Sequence, residues 1–138
     1  MTPHSRSLVS DTDFLLFSKI RQAVIDLPDL DYGKDKEDNP VLLSCHMLAM
    51  ACSRAFEVKA EHGFYLESYR HSWLRLPSGN IIDVYPVAQL GGPILFDAVN
   101  FYHSLALYKP LALRNEFNSE EFLGHVVKIE EQIQLAKV

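Results

Sequence analysis

The sequence is poor in the features that mark several large classes of protein. Only two of its 138 residues are cysteine, so a framework of disulfides is not expected. No apolar run approaches the roughly 20 residues that cross a bilayer, and the N-terminal residues lack an apolar segment like that of a secretory signal. We therefore expect a cytoplasmic protein with no membrane partner.

An excess of basic charge is also missing. Lysine and arginine number 13 against 18 acidic residues, which gives a formal net charge of −5, and the basic residues are scattered. Such a chain has no positive field that would attract a phosphate backbone, so no nucleic acid partner is expected. The hydrophobic share of 48% and the charged share of 22% are ordinary for a globular protein, and the length predicts a single domain over residues 1–138.

Capping residues and the spacing of apolar residues predict three helices outside the central part of the sequence. They run from Ser10 or Asp11 to about Leu27, from Asp97 to Tyr108, and onward from Asn118 or Ser119. Pro110 would end the second of these helices, because proline lacks the backbone N–H that a helix interior uses. In the first and last, the apolar residues form one side that predicts packing against a core.

The central stretch predicts a helix that contains both cysteines and ends near Phe56. It begins either at Pro40, capped by Asn39, or at Cys45, capped by Ser44. The helix is apolar around most of its circumference, which is typical of a central and buried position.

Three strands are predicted to follow this helix. They cover Glu57–Leu66, Tyr69–Leu76 and Asn80–Tyr85. The last two are joined by Pro77, Ser78, Gly79 and Asn80, a strong turn signal that predicts an antiparallel hairpin. The expected fold is therefore α+β, with the cysteine helix packed on a small antiparallel sheet and additional helices at the N- and C-terminal ends.

Three side chains of this central stretch form the parts of a nucleophilic site. Cys45 opens the helix if Ser44 caps it, and unpaired N–H groups at a helix N-terminus stabilise a thiolate. His71 and Asp83 lie on the two hairpin strands, and a three- or five-residue loop places both on one face, opposite or diagonal to each other. His71 would act as the base, Asp83 would orient its ring, and Trp73 on the same face would line the site and contact substrate.

A zinc site is the competing interpretation of these residues. Its possible ligands are Cys45, His46, Cys52, His62 and His71. Their spacing fits no common zinc motif, and Cys45 and the adjacent His46 are not expected to face the same way on a helix. Neither a metal nor any other cofactor is therefore predicted.

With these residues assembled, the chain resembles the transglutaminase-like superfamily, which has a papain-like cysteine fold. The resemblance extends over about Leu43 to Pro86 and depends on three segments. These are Cys45 with the small Ala49 four residues later, His71-Ser72-Trp73, and Ile82-Asp83-Val84 followed by Pro86. The resemblance implies Cys45 as nucleophile, His71 as general base and then acid, and Asp83 as the orienting carboxylate.

The expected function is that of a thiol enzyme acting on an amide or related acyl group of a peptide or protein through a thioester. Cysteine peptidase, deamidase and transglutaminase share this first half-reaction, and hydrolysis is favoured because so small a domain leaves little room for a second substrate. The main alternative is an inactive binding module that keeps the fold and holds a partner on the Trp73 face. An acyltransferase that uses an acyl-thioester donor ranks third.

Overall fold

A computed structural model describes residues 10–28, 30–66, 69–84, 93–98, 102–111, 117 and 119–136. Within these ranges the chain has a mixed α+β architecture with four helices and a five-stranded sheet. The helices are α1 (Asp11–Ile25), α2 (Cys45–Phe56), α3 (Tyr102–Leu105) and α4 (Glu120–Ala136). The strands are β1 (Lys59–Tyr65), β2 (Tyr69–Arg75), β3 (Ile81–Asp83), β4 (Ile94–Phe96) and β5 (Tyr108–Leu111). The expected α+β class is confirmed.

Serine side chains cap the three longer helices. The Ser10 hydroxyl accepts a hydrogen bond from the third residue of α1, as predicted. At α2, the Ser44 hydroxyl accepts from the N–H of Met47 at 3.2 Å, so this helix starts at Cys45 and not at Pro40. At α4, the Ser119 hydroxyl accepts from the first turn of the helix, while the other predicted cap, Asn118, lies outside the described residues.

The sheet is antiparallel throughout, with the strand order β4-β3-β2-β1-β5. The predicted hairpin is present between β2 and β3, where Leu74 pairs with Ile82. Its loop is the three residues 77–79, because the N–H of Leu76 donates to the carbonyl of Asn80 at 2.9 Å. Gly79 closes the loop with φ at 93°, a left-handed conformation that glycine adopts without strain.

The hairpin register determines the positions of the predicted site residues. Continuing the pairing of Leu74 with Ile82 by one residue places Asp83 opposite Trp73, and therefore diagonal to His71. Helix α1 stabilises this hairpin from outside, since the buried Asp13 carboxylate accepts hydrogen bonds from the side chains in and after the turn, Ser78 at 2.5 Å and Asn80 at 2.9 Å.

The two faces of the sheet carry separate cores. On one face, α2 packs together with α1 and α4, and the buried side chains include Leu48, Cys52, Leu74, Ile82 and Ile129. On the other face, a smaller aromatic core contains Trp73, Ile81, Leu105 and Tyr108. Because side chains alternate along a strand, β2 contributes to both cores in turn. Within the part of the chain that the structure describes, every helix falls short of the length and apolar content that a bilayer crossing requires.

The prediction of one helix over Asp97–Tyr108 is wrong in its bounds, and residues 99–101 of this stretch lie outside the described part of the chain. Among the described residues of this stretch only the single turn of α3 is helical, and Tyr108 is the first residue of β5. Strands β4 and β5 pair with β3 and β1, and this long-range pairing overrides the local helical spacing. Pro110 does not stop a helix; it lies in β5 at the edge of the sheet, where a missing N–H is tolerated.

We expect Gly63→Ala to lower the free energy of unfolding by about 2 kcal/mol or more. Gly63 lies between His71 and Pro110 in the register, and a Cβ at this position would be 1.9 Å from the backbone carbonyl oxygen of Lys109. Strand β5 would have to move away from β1. Urea denaturation measures the change.

Gly124→Ala in α4 is the matched control, because a Cβ at Gly124 meets no atom within 4 Å. It should stabilise the protein by about 0.5–1 kcal/mol, the usual gain from replacing glycine in an exposed helix. Equal effects of the two substitutions would contradict the close approach of β5 to β1.

Candidate active site

Cys45 is the first residue of α2, where backbone N–H groups and the helix dipole favour negative charge. Its side chain is largely buried, with 9% of the residue exposed. Burial alone would raise the pKa of the thiol. Hydrogen bonds with the side chains of His46 and His71 outweigh this effect and lower the pKa of Cys45 to about 6. Cys45 is thus the more acidic of the two cysteines, since burial raises the pKa of Cys52 to about 12.

His71 joins this thiol to a carboxylate. Its Nε2 lies 2.9 Å and 3.0 Å from the two carboxylate oxygens of Asp83, and both residues are buried. Burial opposes the charged imidazole, but the hydrogen bond to Asp83 and the contact with Cys45 raise the pKa of His71 to about 9. Because Nε2 is held by Asp83, Nδ1 is the ring nitrogen left for Cys45. The lowered pKa of the thiol and the raised pKa of the imidazole both favour a thiolate–imidazolium pair near neutral pH.

Tyr108 is a member of the site that the sequence analysis missed. Its hydroxyl donates to Oδ2 of Asp83 at 2.7 Å, beside the bond from His71. Burial raises the pKa of Tyr108 far above its usual range, and the neighbouring Asp83 carboxylate raises it further, so the phenol stays protonated and donates. Tyr108 reaches Asp83 because β5 pairs with β1, a contact between distant parts of the sequence that no local spacing signals.

The structure does not support the expected contact of Trp73 with substrate. Trp73 does lie beside His71, with ring centroids 6.0 Å apart, but none of its surface is exposed. Its indole N–H donates to Glu61 at 2.8 Å, and Glu61 also accepts from Arg75 at 2.9 Å. On its other side the indole packs edge-on against the ring of Tyr108 at 5.0 Å. Trp73 therefore supports the His71 ring from the interior.

A second group of polar side chains lies next to Cys45. The Ser72 hydroxyl is within hydrogen-bond distance of Nδ1 of His46, at 2.6 Å, and of Nδ1 of His62, at 2.5 Å. Phe117 packs on both imidazole rings with centroid distances of 4.6 Å and 4.7 Å. Burial and the nearby His46 lower the pKa of His62 to about 4. Within the described ranges, no three His, Cys, Asp or Glu side chains are arranged to hold a metal ion.

A shallow cleft of about 340 Å³, widely open to solvent, lies beside the site. It is lined by Ser44, His46, Arg70, Phe117 and Phe122. Ser44 and His46 flank Cys45 in the chain, and Arg70 precedes His71, so the cleft borders the site, although neither Cys45 nor His71 is among its lining residues. Its walls combine aromatic rings with polar side chains.

Comparison of the chain with protein-family models, with curated proteins and with solved structures gave no match. The likeness to the transglutaminase-like superfamily therefore depends on the residues of the central stretch themselves. What the site can do is inferred from the chemistry of its side chains.

We expect Cys45 to react with iodoacetamide with a half-maximal rate near pH 6, because its thiolate is stabilised by both histidines. His71→Ala should move this midpoint upward by about one to two pH units. Mass spectrometry of tryptic peptides measures the rate at each cysteine. Cys52 is the internal control and should stay unmodified in the folded protein, since it is fully buried and its pKa is raised. An equally inert Cys45 would contradict the activated thiolate.

We expect Tyr108→Phe to lower the free energy of unfolding by about 1–3 kcal/mol, because it removes a hydrogen bond to a buried carboxylate. Urea denaturation measures the change. Tyr69→Phe is the matched control, because Tyr69 is 66% exposed and the substitution should change stability by less than about 0.5 kcal/mol. Two equal results would show that the Tyr108 hydroxyl does not support Asp83.

Proposed function

We propose that this protein is a thiol enzyme that hydrolyses amide or related acyl bonds of a peptide or protein. The observation that carries the proposal is the chain of contacts from Cys45 through His71 to Asp83, in which the thiol pKa is lowered and the imidazole pKa is raised. A structural cysteine needs neither a helix N-terminus nor a carboxylate-bound histidine. We also propose that the fold is a transglutaminase-like core, supported by the cysteine helix packed on an antiparallel sheet that carries first His and then Asp.

In the first half-reaction the Cys45 thiolate attacks the carbonyl carbon and forms a C–S bond. The carbonyl oxygen becomes an oxyanion, and the backbone N–H of Cys45 at the start of α2 is the donor that we assign to it. The His71 imidazolium gives its proton to the departing nitrogen as the C–N bond breaks. A thioester on Cys45 and a neutral His71 remain.

In the second half-reaction the neutral His71 takes a proton from water, and the resulting hydroxide attacks the thioester. The C–O bond forms, the C–S bond breaks, and a carboxylic acid leaves while Cys45 returns to thiolate. Asp83 stays bound to Nε2 of His71 in both halves and stabilises the charged ring when it forms. An amine in place of water would make the same site a transferase.

The burial of Cys45 favours one alternative, a binding module that keeps the fold without catalysis. Such a module could not hold its partner on Trp73, because this side chain is fully buried. The lowered pKa of Cys45 also has no role in binding alone. We therefore rank the enzyme first, and we place it in the cytoplasm because its two cysteines are unpaired.

The proposal predicts turnover of activated acyl substrates, such as thioesters and 4-nitroanilides of short peptides, with a covalent acyl group trapped on Cys45. The pH dependence of kcat/KM should be bell-shaped, with limbs near pH 6 and pH 9 set by Cys45 and His71. Cys45→Ala should reduce turnover to background, and His71→Ala should lower kcat/KM by about 10²–10⁴-fold.

Cys52→Ala is the control, because Cys52 is buried in the core away from the site and its loss should leave kcat/KM nearly unchanged. Mass spectrometry of acid-quenched reactions identifies the acylated residue. An added primary amine that appears in the product would assign the enzyme as a transferase. A reactive Cys45 that never becomes acylated by any member of an amide and ester library would favour the binding module.

A further inference from the structure

The reaction described above leaves three polar side chains near Cys45 without a role. They are His46 on α2, His62 on β1 and Ser72 on β2, and they meet at the Ser72 hydroxyl. Ser72 has no exposed surface, and His62 has 6%. The packing of Phe117 on both imidazole rings fixes their orientation. A polar group placed in this way is costly unless its hydrogen bonds are satisfied.

Both contacts can be hydrogen bonds only in a limited set of proton arrangements. The Ser72 hydroxyl has one proton and accepts with its lone pairs, whereas Nδ1 of a neutral imidazole either donates or accepts. Accepting from both imidazoles would leave the Ser72 proton without a partner, because among the described residues the two imidazoles are the only hydrogen-bond partners found for this fully buried hydroxyl. We therefore take Ser72 to donate to one histidine and to accept from the other. In consequence His46 and His62 are in opposite tautomers when both are neutral.

The negative charge that the N-terminus of α2 favours on Cys45 distinguishes the two arrangements, because only one of them offers this thiolate an N–H. Nδ1 of His46 is bound to Ser72, so Nε2 is the nitrogen left for the sulfur of Cys45. If Ser72 donates to His46, the proton of the neutral His46 ring is on Nε2 and points an N–H toward the sulfur. If Ser72 accepts from His46, Nε2 is bare and repels a thiolate.

We propose that His62 and Ser72 fix the tautomer of His46, so that His46 presents an N–H to the Cys45 thiolate as a second imidazole donor beside His71. In this chain His62 donates from Nδ1 to Ser72, and Ser72 donates to Nδ1 of His46. His46 touches the reacting sulfur, while Ser72 and His62 are positioning residues that act through it. The two histidines beside the sulfur then differ in role. His71 transfers a proton during the reaction, whereas His46 keeps its proton and donates a hydrogen bond to the thiolate.

The surroundings of His46 fit this arrangement. His62 stays neutral over the working range, because burial and the proximity of His46 lower its pKa to about 4. The other groups that face His46 are Cys45 on its own helix, the ring of Phe117, and Arg70 across the shared cleft. The inference goes beyond the proposed enzyme, because it concerns the state of the thiol and is tested without an amide substrate.

The first test is direct observation of the tautomers by ¹⁵N NMR of the full chain labelled at its histidines. We expect His62 with its proton on Nδ1 and His46 with its proton on Nε2 at pH 7.5. The assignment uses the loss of signals in His46→Phe and in His62→Phe. A proton on Nδ1 of His46 in the neutral ring, or the same tautomer in both histidines, would overturn the proposal.

The second test is the pH midpoint of Cys45 alkylation by iodoacetamide in Ser72→Ala. We expect the midpoint to rise by about half to one pH unit, the size of one lost hydrogen bond to the thiolate. His46→Phe should give the same shift while keeping the aromatic contact with Phe117. A merely structural role for Ser72 would lower the melting temperature without moving this midpoint.

Ser53→Ala is the matched control, because Ser53 is on the same helix and its hydroxyl donates to the carbonyl of Val58, away from Cys45. The pH midpoint of Cys45 alkylation in Ser53→Ala should equal that of the wild type. An unchanged midpoint in both Ser72→Ala and His46→Phe, or an equal shift in Ser53→Ala, would overturn the proposal. If the midpoint moves as expected but no amide is hydrolysed, the proposal that His46 donates to the Cys45 thiolate is supported. Only the proposal of an amide-hydrolysing enzyme is then contradicted.

Discussion

The buried carboxylate of Asp83 is the constraint on which the site depends. A carboxylate away from water is unstable unless donors surround it. Here the donors come from two other strands, with His71 on β2 and Tyr108 on β5. Satisfying one charge therefore fixes three strands relative to one another. The same contacts orient the imidazole that lowers the pKa of Cys45, so the need to pair a buried charge and the activation of the thiol have one physical cause.

The cap of α2 is the second determinant. Because Ser44 ends the preceding loop and accepts from Met47, Cys45 is the first residue of the helix and lies at its positive end. A start at Pro40 would have placed the thiol in the second turn, where the backbone N–H groups are already used. The Ser44 cap thus places Cys45 where a lowered thiol pKa is favoured. Cys52, two turns later on the same helix, has a raised pKa instead.

Much of the site could be predicted from the sequence because its signals are local. The turn at residues 77–79 sets the hairpin register, and that register places Asp83 diagonal to His71. Strands β4 and β5 could not be predicted, because strands of three and four residues are too short to show a pattern of alternating apolar and polar residues. They form because they pair with strands that are distant in the sequence. Tyr108 was missed for this reason. The cluster around Ser72 was missed because its members come from three elements whose packing no spacing encodes.

The edges of the sheet bear on how a substrate could be recognised. Strand β4 has three residues, and β5 contains Pro110, which has no N–H to offer an incoming strand. Neither described edge is a good template for β-augmentation, in which an extended peptide binds by continuing the sheet with main-chain hydrogen bonds. A peptide bound beside Cys45 would then be selected by its side chains and not by its backbone. Such an enzyme would tolerate varied backbone contexts around one preferred residue.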